Sequence, residues 1–398
     1  MRAMAGHLNT KSVAPEATPS VPPSRVDAMD GILLGTFIAL IAFGVVMVYS
    51  ASAVFAAQRY GSGQTFLIRQ TIYAAVGISI LLFMAQLNYQ RLRLMTYPAL
   101  ISASILLVLV NIGLGRSAGG ASRWITLGPI NLQPSELAKL ALVLWLAYSL
   151  SKKAEHIKTF SVGFLPHVLV AGLFMLLCLK QPDFGGAIML GLLTFVLLFA
   201  AGAKLGYILG AGLLALPIAY MLIVGSEYRM RRIQAFLAPF EHRYDAGYQI
   251  AESLMGFGAG GVSGVGIGDG KQKLFFLPEA HTDFISAIIG EELGFIGICA
   301  LILAFLVVVW RGLRIAYRSQ DDYGMYLATG ITLLLGIQAF TNLAVAMGLL
   351  PTKGLTLPFI SYGGSSLVVS CICAGILLSI SRGSQESRKR HIRGGQDD

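Results

Sequence analysis

The sequence predicts an all-α integral membrane protein with ten transmembrane helices and one large extracytoplasmic loop. Its mean hydropathy is +0.70, and only 13% of its 398 residues are charged. A soluble chain has about twice that charged fraction. Several apolar runs reach the length of about 20 residues that spans the hydrocarbon core of a bilayer as a helix. Together these observations exclude a water-soluble globular protein.

Apolar runs separated by charged or turn-forming residues define the spans of one transmembrane domain, residues 31–381. The large outer loop, residues 226–282, lies between the seventh and eighth spans. The polar, proline-containing segment 1–30 is expected to be a disordered tail, and residues 382–398 form a basic tail. The predicted spans are 31–53, 66–87, 95–115, 134–151, 162–180, 185–202, 205–225, 283–310, 323–348 and 361–381.

Basic residues in the short loops predict the orientation. Ten spans place both termini on one side, and most basic residues of the short loops and the C-terminal tail lie on that side. The positive-inside rule therefore places both termini in the cytoplasm. The basic residues of the loop 226–282 then lie outside. They fit either contact with anionic lipid headgroups or the binding of an anionic ligand.

The soluble segments exclude several classes of function. All are short, and none on the cytoplasmic side could fold a nucleotide-binding domain. We therefore expect no nucleotide cofactor and no nucleic-acid partner, and any donor substrate must arrive through the membrane or from outside. The cysteines lie in apolar segments without zinc-site spacing, which is typical of buried thiols; they are Cys178, Cys299, Cys371 and Cys373.

The segment 277–297, LPEAHTDFISAIIGEELGFIG, carries carboxylates at membrane depth. A charge at the centre of a transmembrane helix costs roughly 2.5–3.5 kcal/mol, so a functional role is the default interpretation. Asp283 lies at the predicted outer boundary. At about 100° per residue, Glu291 is expected to face the same cavity two turns deeper. Glu292 points nearly the opposite way and is expected to pair with another helix.

A second group of charges precedes and opens the fourth span. Glu136 and Lys139 are three residues apart, on one helix face, where they can form an ion pair. Arg123, in the motif GASRW, lies nearby at the outer surface. Two interpretations stand: a structural ion pair within the bundle, or a polar site to which all three charges contribute.

Three further segments near the outer surface each have two interpretations. Eight glycines within residues 256–270 indicate a tightly turning loop, or one whose backbone amides approach an anion beside Lys271 and Lys273. Asp183 fits a helix cap or a polar site. The proline- and glycine-rich segment 351–366 cannot be regular helix throughout. It is either a packed loop or a cavity lining that includes Lys353.

These motifs resemble a known family. HTDFISAIIGEELGFIG together with PTKGLTLPFISYGGSS resembles the shape, elongation, division and sporulation (SEDS) family, and GASRWI, QPSELAK and QPDFGG agree. The resemblance covers about residues 30–385. LPEAHTDF, GASRW and PTKGLTLP are more similar to the division branch of the family than to its elongation branch.

The resemblance implies an enzyme, a peptidoglycan glycosyltransferase that polymerises lipid II into β-1,4 glycan strands. It implies a location in the bacterial cytoplasmic membrane at the division septum. The expected partners are an FtsI-like class B penicillin-binding protein and other divisome proteins.

The resemblance also implies roles for individual residues. Asp283 resembles the family's essential aspartate, and would activate the acceptor hydroxyl directly or as the ligand of a divalent cation, Mg²⁺ or Mn²⁺. The positions expected in substrate binding, or in the charge network of the cavity, are Arg123, Glu136, Lys139, Lys273, Lys353 and Glu291.

Two other functions are compatible with the sequence: a lipid II flippase, and a scaffold that recruits the penicillin-binding protein without chemistry of its own. A flippase should show a polar path between the two leaflets. The sequence predicts intramembrane charges only toward the outer boundary, with nothing equivalent at the inner one. That distribution favours chemistry at the outer face.

Overall fold

The computed structural model describes residues 29–118, 121–128 and 130–394, and within these residues the chain is a bundle of helices. The N-terminal tail predicted at 1–30 lies almost entirely outside the described residues. Helix α12 continues through much of the segment that was predicted as a C-terminal tail. The helices are α1 (Gly31–Tyr60), α2 (Thr65–Gln86), α3 (Leu92–Leu109), α4 (Pro134–Lys152), α5 (Leu165–Lys180), α6 (Phe184–Ala200), α7 (Leu205–Val224), α8 (Glu227–Leu237), α9 (Tyr248–Gly260), α10 (Ile285–Arg318), α11 (Asp322–Ala346) and α12 (Gly364–Gly394).

Each predicted span falls on one of these helices, and the prediction of a helical membrane protein with many spans is confirmed. Within the described residues, eight helical segments are long and apolar enough to cross a bilayer. The two predicted spans outside this group correspond to α4, which carries three charged residues, and to α6, which has 17 residues.

Two segments between helices hold structure that the sequence analysis did not predict. Between α3 and α4 lies a small antiparallel sheet of three strands, β1 (Arg116–Ala118), β2 (Ala121–Leu127) and β3 (Ile130–Leu132). The segment 226–282, predicted as the large loop, contains α8 and α9. Strand β2 carries Arg123 and α8 carries Arg232, so both additions position basic side chains.

The bundle has a buried centre and a lipid-facing periphery. Helices α4, α11 and α12 are the most buried, and every side chain from Leu140 to Ala147 of α4 is buried. Helix α7, by contrast, has no buried residue. In an apolar solvent such an exposed face needs no protein partner, since lipid tails are as apolar as leucine.

Helix α10 is broken near its N-terminal end. Gly294 has φ 66° and ψ −162°, a conformation that interrupts the helical hydrogen-bond ladder. The glycine-rich segment that follows α9 runs alongside the break and replaces the missing hydrogen bonds. Its pairs are Val265 N to Glu291 O (3.0 Å), Gly266 N to Glu292 O (3.0 Å), Phe295 N to Gly261 O (2.9 Å) and Ile296 N to Val262 O (3.1 Å).

The segment between α11 and α12 is irregular and enters the bundle. Phe359 has a positive φ of 67° and is 1% exposed, and its ring lies 5.1 Å from that of Phe37 on α1. Helix α1 approaches this backbone closely at Gly44, where an added Cβ would lie 2.6 Å from the carbonyl oxygen of Phe359. The prediction that this segment is not regular helix is therefore confirmed, and most of the segment is buried in the bundle.

The close packing of α9 on α10 yields a prediction about Gly260. A Cβ at this position would lie 2.0 Å from the carbonyl oxygen of Gly290, which belongs to a rigid helix. We expect Gly260→Ala to destabilise the protein by about 1–3 kcal/mol, the usual cost of overpacking. The measurement is the thermal unfolding of the purified protein in detergent.

Gly258→Ala is the matched control, because Gly258 lies on the same helix with no atom within 4 Å of an added Cβ. Equal melting temperatures for the two variants would contradict the packing described here.

Candidate active site

Asp283 is held by its backbone while its carboxylate stays free. It precedes α10 by two residues, and its carbonyl oxygen accepts a 2.8 Å hydrogen bond from Nδ2 of Asn342. Among the described residues, no hydrogen bond or ion pair ends on its carboxylate. The side chain is half-buried. An acidic group that is positioned but unpaired is suited to react with a ligand.

The surroundings raise the pKa of the Asp283 carboxyl to about 7. Desolvation is the largest cause, because burial penalises the charged form, and the nearby carboxylate of Glu279 acts in the same direction. The guanidinium groups of Arg123 and Arg232 oppose this shift. A carboxyl that titrates near neutral pH can accept a proton with useful driving force.

Arg123 reaches the site from β2. Its Nε donates to the carbonyl oxygen of Gln181 (3.2 Å) and its Nη2 to that of Pro182, which fixes the turn between α5 and α6. Asp183, in that turn, caps α6 by accepting a 2.9 Å hydrogen bond from Gly186 N, as its capping interpretation predicted. Arg123 thus approaches Asp283 with its orientation set by backbone carbonyls.

Arg232 also acts on the charge of Asp283, and Lys353 lies in the segment that Arg232 binds. Nη1 of Arg232, on α8, donates to the carbonyl oxygen of Thr352 (3.0 Å). The next residue, Lys353, is half-buried and forms no ion pair within the described part of the chain, and desolvation lowers the pKa of its ammonium. A Cβ added at Gly354 would lie 3.0 Å from Oδ2 of Asp283 and 3.9 Å from Nη1 of Arg123. The segment 352–354 therefore contacts Arg232 at Thr352 and lies next to the Asp283 carboxylate at Gly354.

Glu136 and Lys139 form the predicted ion pair, with 2.8 Å between Nζ and Oε1, and both are buried. Nζ of Lys139 also donates to Oε1 of Gln338 (2.9 Å), whose Nε2 donates to the carbonyl oxygen of Thr356 (3.1 Å). The pair is therefore connected to the irregular segment that carries Lys353. The pair supports the groups around Asp283 indirectly, through Gln338 and the segment that Gln338 binds.

Asn342 completes that support. Its Nδ2 donates to the carbonyl oxygens of Asp283 (2.8 Å) and Leu355 (2.7 Å), and its Oδ1 accepts from the hydroxyl of Ser286 (3.0 Å). Gln338 precedes it by four residues, on the same face of α11. Sequence reasoning missed both residues, although two amides four apart in an apolar span were the available signal. It also did not single out Arg232, whose position depends on α8.

Lys273 and Glu291 do not join the groups around Asp283. Nζ of Lys273 lies 2.6 Å from Oε1 of Glu292, and the hydroxyl of Ser50 on α1 donates to the same carboxylate (2.7 Å). Glu292 thus pairs with another helix, as predicted. Glu291 accepts hydrogen bonds from the backbone N–H groups of Lys271 (2.7 Å) and Gln272 (3.1 Å). The anion that approaches the amides of this loop is therefore a carboxylate of the chain itself.

His281 belongs to an aromatic cluster. Its ring lies 4.8 Å from that of Phe66 and stacks on Phe55 at 5.8 Å. Desolvation lowers the pKa of its imidazole, so the ring is neutral at physiological pH. This neutral ring is two residues from Asp283 and closes one side of the site with apolar surface.

Charged side chains also cluster at the other end of the bundle, but they lie in the predicted loops and not within the predicted spans. At the opposite end of the bundle, Arg93 forms an ion pair with Asp321 (2.7 Å) beside Lys152 and Asp322. The two charged ends are nevertheless separated along α4, where residues 140–147 are all apolar. Helix α4 therefore offers no polar path between them.

A family model described as "Cell cycle protein", for FtsW, RodA and SpoVE, matches residues 31–386. The chain belongs to this family.

Curated relatives match along nearly the full length. A probable peptidoglycan glycosyltransferase FtsW of Geobacter sulfurreducens is 50% identical over 358 residues, which is 90% of this chain and 96% of the relative. Stage V sporulation protein E of Bacillus subtilis is 40% identical over 358 residues, with 89% and 98% coverage.

Solved structures match as well. One is a chain from a structural study of how a peptidoglycan synthase complex coordinates polymerization and crosslinking. It has a TM-score of 0.75 and 30% identity, and the match covers 90% of this chain and 98% of that one. The rod shape determining protein RodA of Thermus thermophilus has a TM-score of 0.66 and 29% identity, with 89% and 97% coverage.

The hydrogen bonds of Asn342 yield a prediction. Asn342→Leu leaves two buried carbonyl oxygens without a donor, and each unsatisfied group costs about 1–3 kcal/mol. We expect a clear fall in melting temperature. We also expect faster proteolysis of the segment 351–363, because its hydrogen bond to Asn342 is lost and only that of Gln338 still links it to this face of α11.

Thr341→Val is the control, since the neighbouring Thr341 faces an apolar cavity. If Asn342→Leu unfolds at the same temperature as this control, the amide does not support the site.

Proposed function

We propose that this chain polymerises lipid II, the undecaprenyl-pyrophosphate disaccharide pentapeptide, into β-1,4 glycan strands. The observation that carries the proposal is the Asp283 carboxylate, unpaired within the described residues and with a pKa of about 7, near the guanidinium groups of Arg123 and Arg232. Lys353 lies in the adjoining segment, next to the carbonyl that binds Arg232. Membership of the family and the names of its peptidoglycan glycosyltransferase relatives support the same activity.

The proposed topology has ten transmembrane helices, α1 to α7 and α10 to α12, with both termini in the cytoplasm. Basic residues of the short loops support this orientation. Asp283 then lies at the outer face, which lipid-linked substrates reach within the membrane. We place the protein in the bacterial cytoplasmic membrane at the division septum, as the names of its FtsW relatives suggest.

In the proposed reaction, the pyrophosphate of the donor is held by Arg123, Arg232 and Lys353. Fixed cations stabilise the negative charge that develops on a leaving pyrophosphate, because they need no reorganisation during the reaction. The Asp283 carboxylate removes the proton of the acceptor's sugar 4-hydroxyl. The oxygen forms a bond to the anomeric carbon while the bond from that carbon to the pyrophosphate breaks. This in-line displacement inverts an α-linked donor into a β-linked product.

A divalent cation, Mg²⁺ or Mn²⁺, is a second way to use Asp283. Within the described residues, no group of three or more His, Cys, Asp or Glu side chains could hold a metal ion. The residues therefore do not fit a protein-built metal cage. A single carboxylate does fit an ion that is also held by substrate phosphates. Such an ion would neutralise phosphate charge. In the proposed reaction Arg123, Arg232 and Lys353 already do so, and we therefore favour Asp283 as a direct base.

The proposed partner is an FtsI-like class B penicillin-binding protein, with other divisome proteins around it. The similarity to a chain of a peptidoglycan synthase complex supports such an assembly. A lipid II flippase and a non-catalytic scaffold remain the alternatives. The apolar residues 140–147 of α4 argue against a polar path across the membrane, and a scaffold has no need of a carboxyl that titrates near neutral pH.

The central test is Asp283→Asn. The purified chain with its penicillin-binding protein partner receives lipid II, and glycan polymer is separated on a gel. We expect the variant to lose at least about 100-fold in rate, the usual contribution of a general base. Asp245→Asn, an exposed carboxylate of the outer loop, is the control and should retain full rate.

Three results would overturn parts of the proposal. Full activity of Asp283→Asn would exclude the base assignment. Loss of wild-type activity on chelation would show that the direct base alone is not sufficient. Movement of lipid II across a vesicle membrane by wild-type protein, without polymer, would favour the flippase.

The pH dependence gives a second test. Only the deprotonated Asp283 can accept a proton, so the rate should fall as pH drops through about 7. Because Glu279 raises the pKa of Asp283, Glu279→Gln should move the midpoint to lower pH. Because Arg232 lowers that pKa, Arg232→Gln should move the midpoint to higher pH, in addition to any loss of binding. Midpoints that shift in the opposite directions would show that another group titrates.

A further inference from the structure

A polar cleft opens at the end of the bundle opposite Asp283. It has a volume of about 420 Å³ and lies where the start of α3, the end of α4 and the start of α11 meet. Two cations, one carboxylate and three hydroxyl groups line it. The lining residues are Arg93, Tyr148, Ser151, Lys152, Asp322 and Tyr323.

One side of the cleft is fixed by an ion pair. Arg93 lies 2.7 Å from Oδ2 of Asp321, and the hydroxyl of Tyr89 donates to Oδ1 of the same carboxylate (2.6 Å). The guanidinium also lies 4.8 Å above the ring of Tyr323. Because Asp321 uses mainly Nη2, other N–H groups of Arg93 remain available, and 42% of this side chain is exposed.

The other charges of the cleft are unpaired. Among the described residues, neither Lys152 nor Asp322 has an ion-pair partner within 4 Å, although both line one cavity. The ammonium of Lys152 lies 5.9 Å from the ring centre of Tyr148. A free cation and a free anion in one cleft match a ligand that carries both signs of charge.

The surface beside the cleft indicates a lipid. Leu94, Tyr97 and Ile101 on α3 are 81%, 53% and 57% exposed, and the ring of Tyr97 meets Tyr148 edge-on at 5.8 Å. Aromatic and aliphatic side chains next to polar groups are typical of the membrane interface. A soluble ligand would leave this apolar strip uncovered, whereas the acyl chains of a lipid would lie along it.

We propose that this cleft binds the headgroup of a phospholipid that has both a phosphate and a primary ammonium, as phosphatidylethanolamine has. The phosphate meets Lys152 and the free N–H groups of Arg93, and the ammonium meets Asp322. The assignment to the inner leaflet rests on the orientation proposed above. The headgroup chemistry rests on the cleft alone and is independent of the glycosyltransferase activity.

The test uses the full chain in nanodiscs of phosphatidylcholine that contain equal, small fractions of phosphatidylethanolamine and phosphatidylglycerol. Native mass spectrometry counts the lipids that stay bound. We expect phosphatidylethanolamine to be enriched at least about fivefold over its share of the bilayer. Asp322→Asn should abolish its advantage over phosphatidylglycerol, while Lys152→Gln should reduce binding of both.

Lys204→Gln is the matched control. Lys204 lies at the same end of the bundle, 5.7 Å from the ring centre of Tyr207, but it does not line the cleft. This variant should retain wild-type lipid binding.

Four results would overturn the proposal. Equal enrichment of all three lipids would indicate general bilayer contact, and equal losses in Lys204→Gln and Lys152→Gln would show that the cleft is not the site. Displacement of the lipid by millimolar inorganic phosphate would identify a free anion as the ligand. Unchanged lipid binding in Asp322→Asn would exclude recognition of the ammonium.

Discussion

Backbone polar groups away from water must find partners inside the protein, and the half of this molecule that contains Asp283 depends on that constraint. It contains three irregular segments: the glycine-rich turn after α9, the break in α10 at Gly294, and the segment 351–363. Within a membrane each unsatisfied N–H or C=O costs several kcal/mol, so irregular backbone is tolerated only where it is buried in protein or lines a wet cavity. Here the backbone N–H and C=O groups of the irregular segments form hydrogen bonds with one another or with polar side chains of regular helices.

This constraint explains why the support of the site consists of amides and hydroxyls. Asn342 and Gln338 each bind a carbonyl oxygen of the segment 351–363, and Ser361 binds the carbonyl oxygen of Thr282. Side chains that satisfy irregular backbone also fix its geometry. The proposed chemistry requires a rigid surrounding for Asp283. The apolar medium favours that rigidity, because any looser arrangement would leave carbonyl groups without hydrogen bonds.

The sequence predicted the features that depend on local patterns. Apolar length predicted the helices, three-residue spacing predicted the pairing of Glu136 with Lys139, and the position of Asp183 predicted its cap. It could not predict features that depend on contacts between distant segments. Arg232 reaches the site only because α8 forms and lies over Thr352, 120 residues later in the chain. The partners of Lys273 and Glu291 are equally invisible in the sequence, because both depend on how the glycine-rich turn folds back onto α10.

The buried charges divide by whether the chain itself supplies the counter-charge. Lys273 and Glu292 pair with each other, Lys139 pairs with Glu136, and Glu291 is satisfied by backbone N–H groups. Removing one partner from such a set would leave an uncompensated charge, so these residues are required for folding whatever the protein binds. Within the described residues, the half-buried Asp283 and Lys353 have no such partner, and desolvation shifts the pKa of each toward its neutral form. A protein tolerates unpaired charged groups at a functional site, because a bound ligand supplies the missing counter-charge. By this criterion Asp283, two residues before α10, is the centre of the site, and Glu291 and Glu292 of α10 belong to its framework.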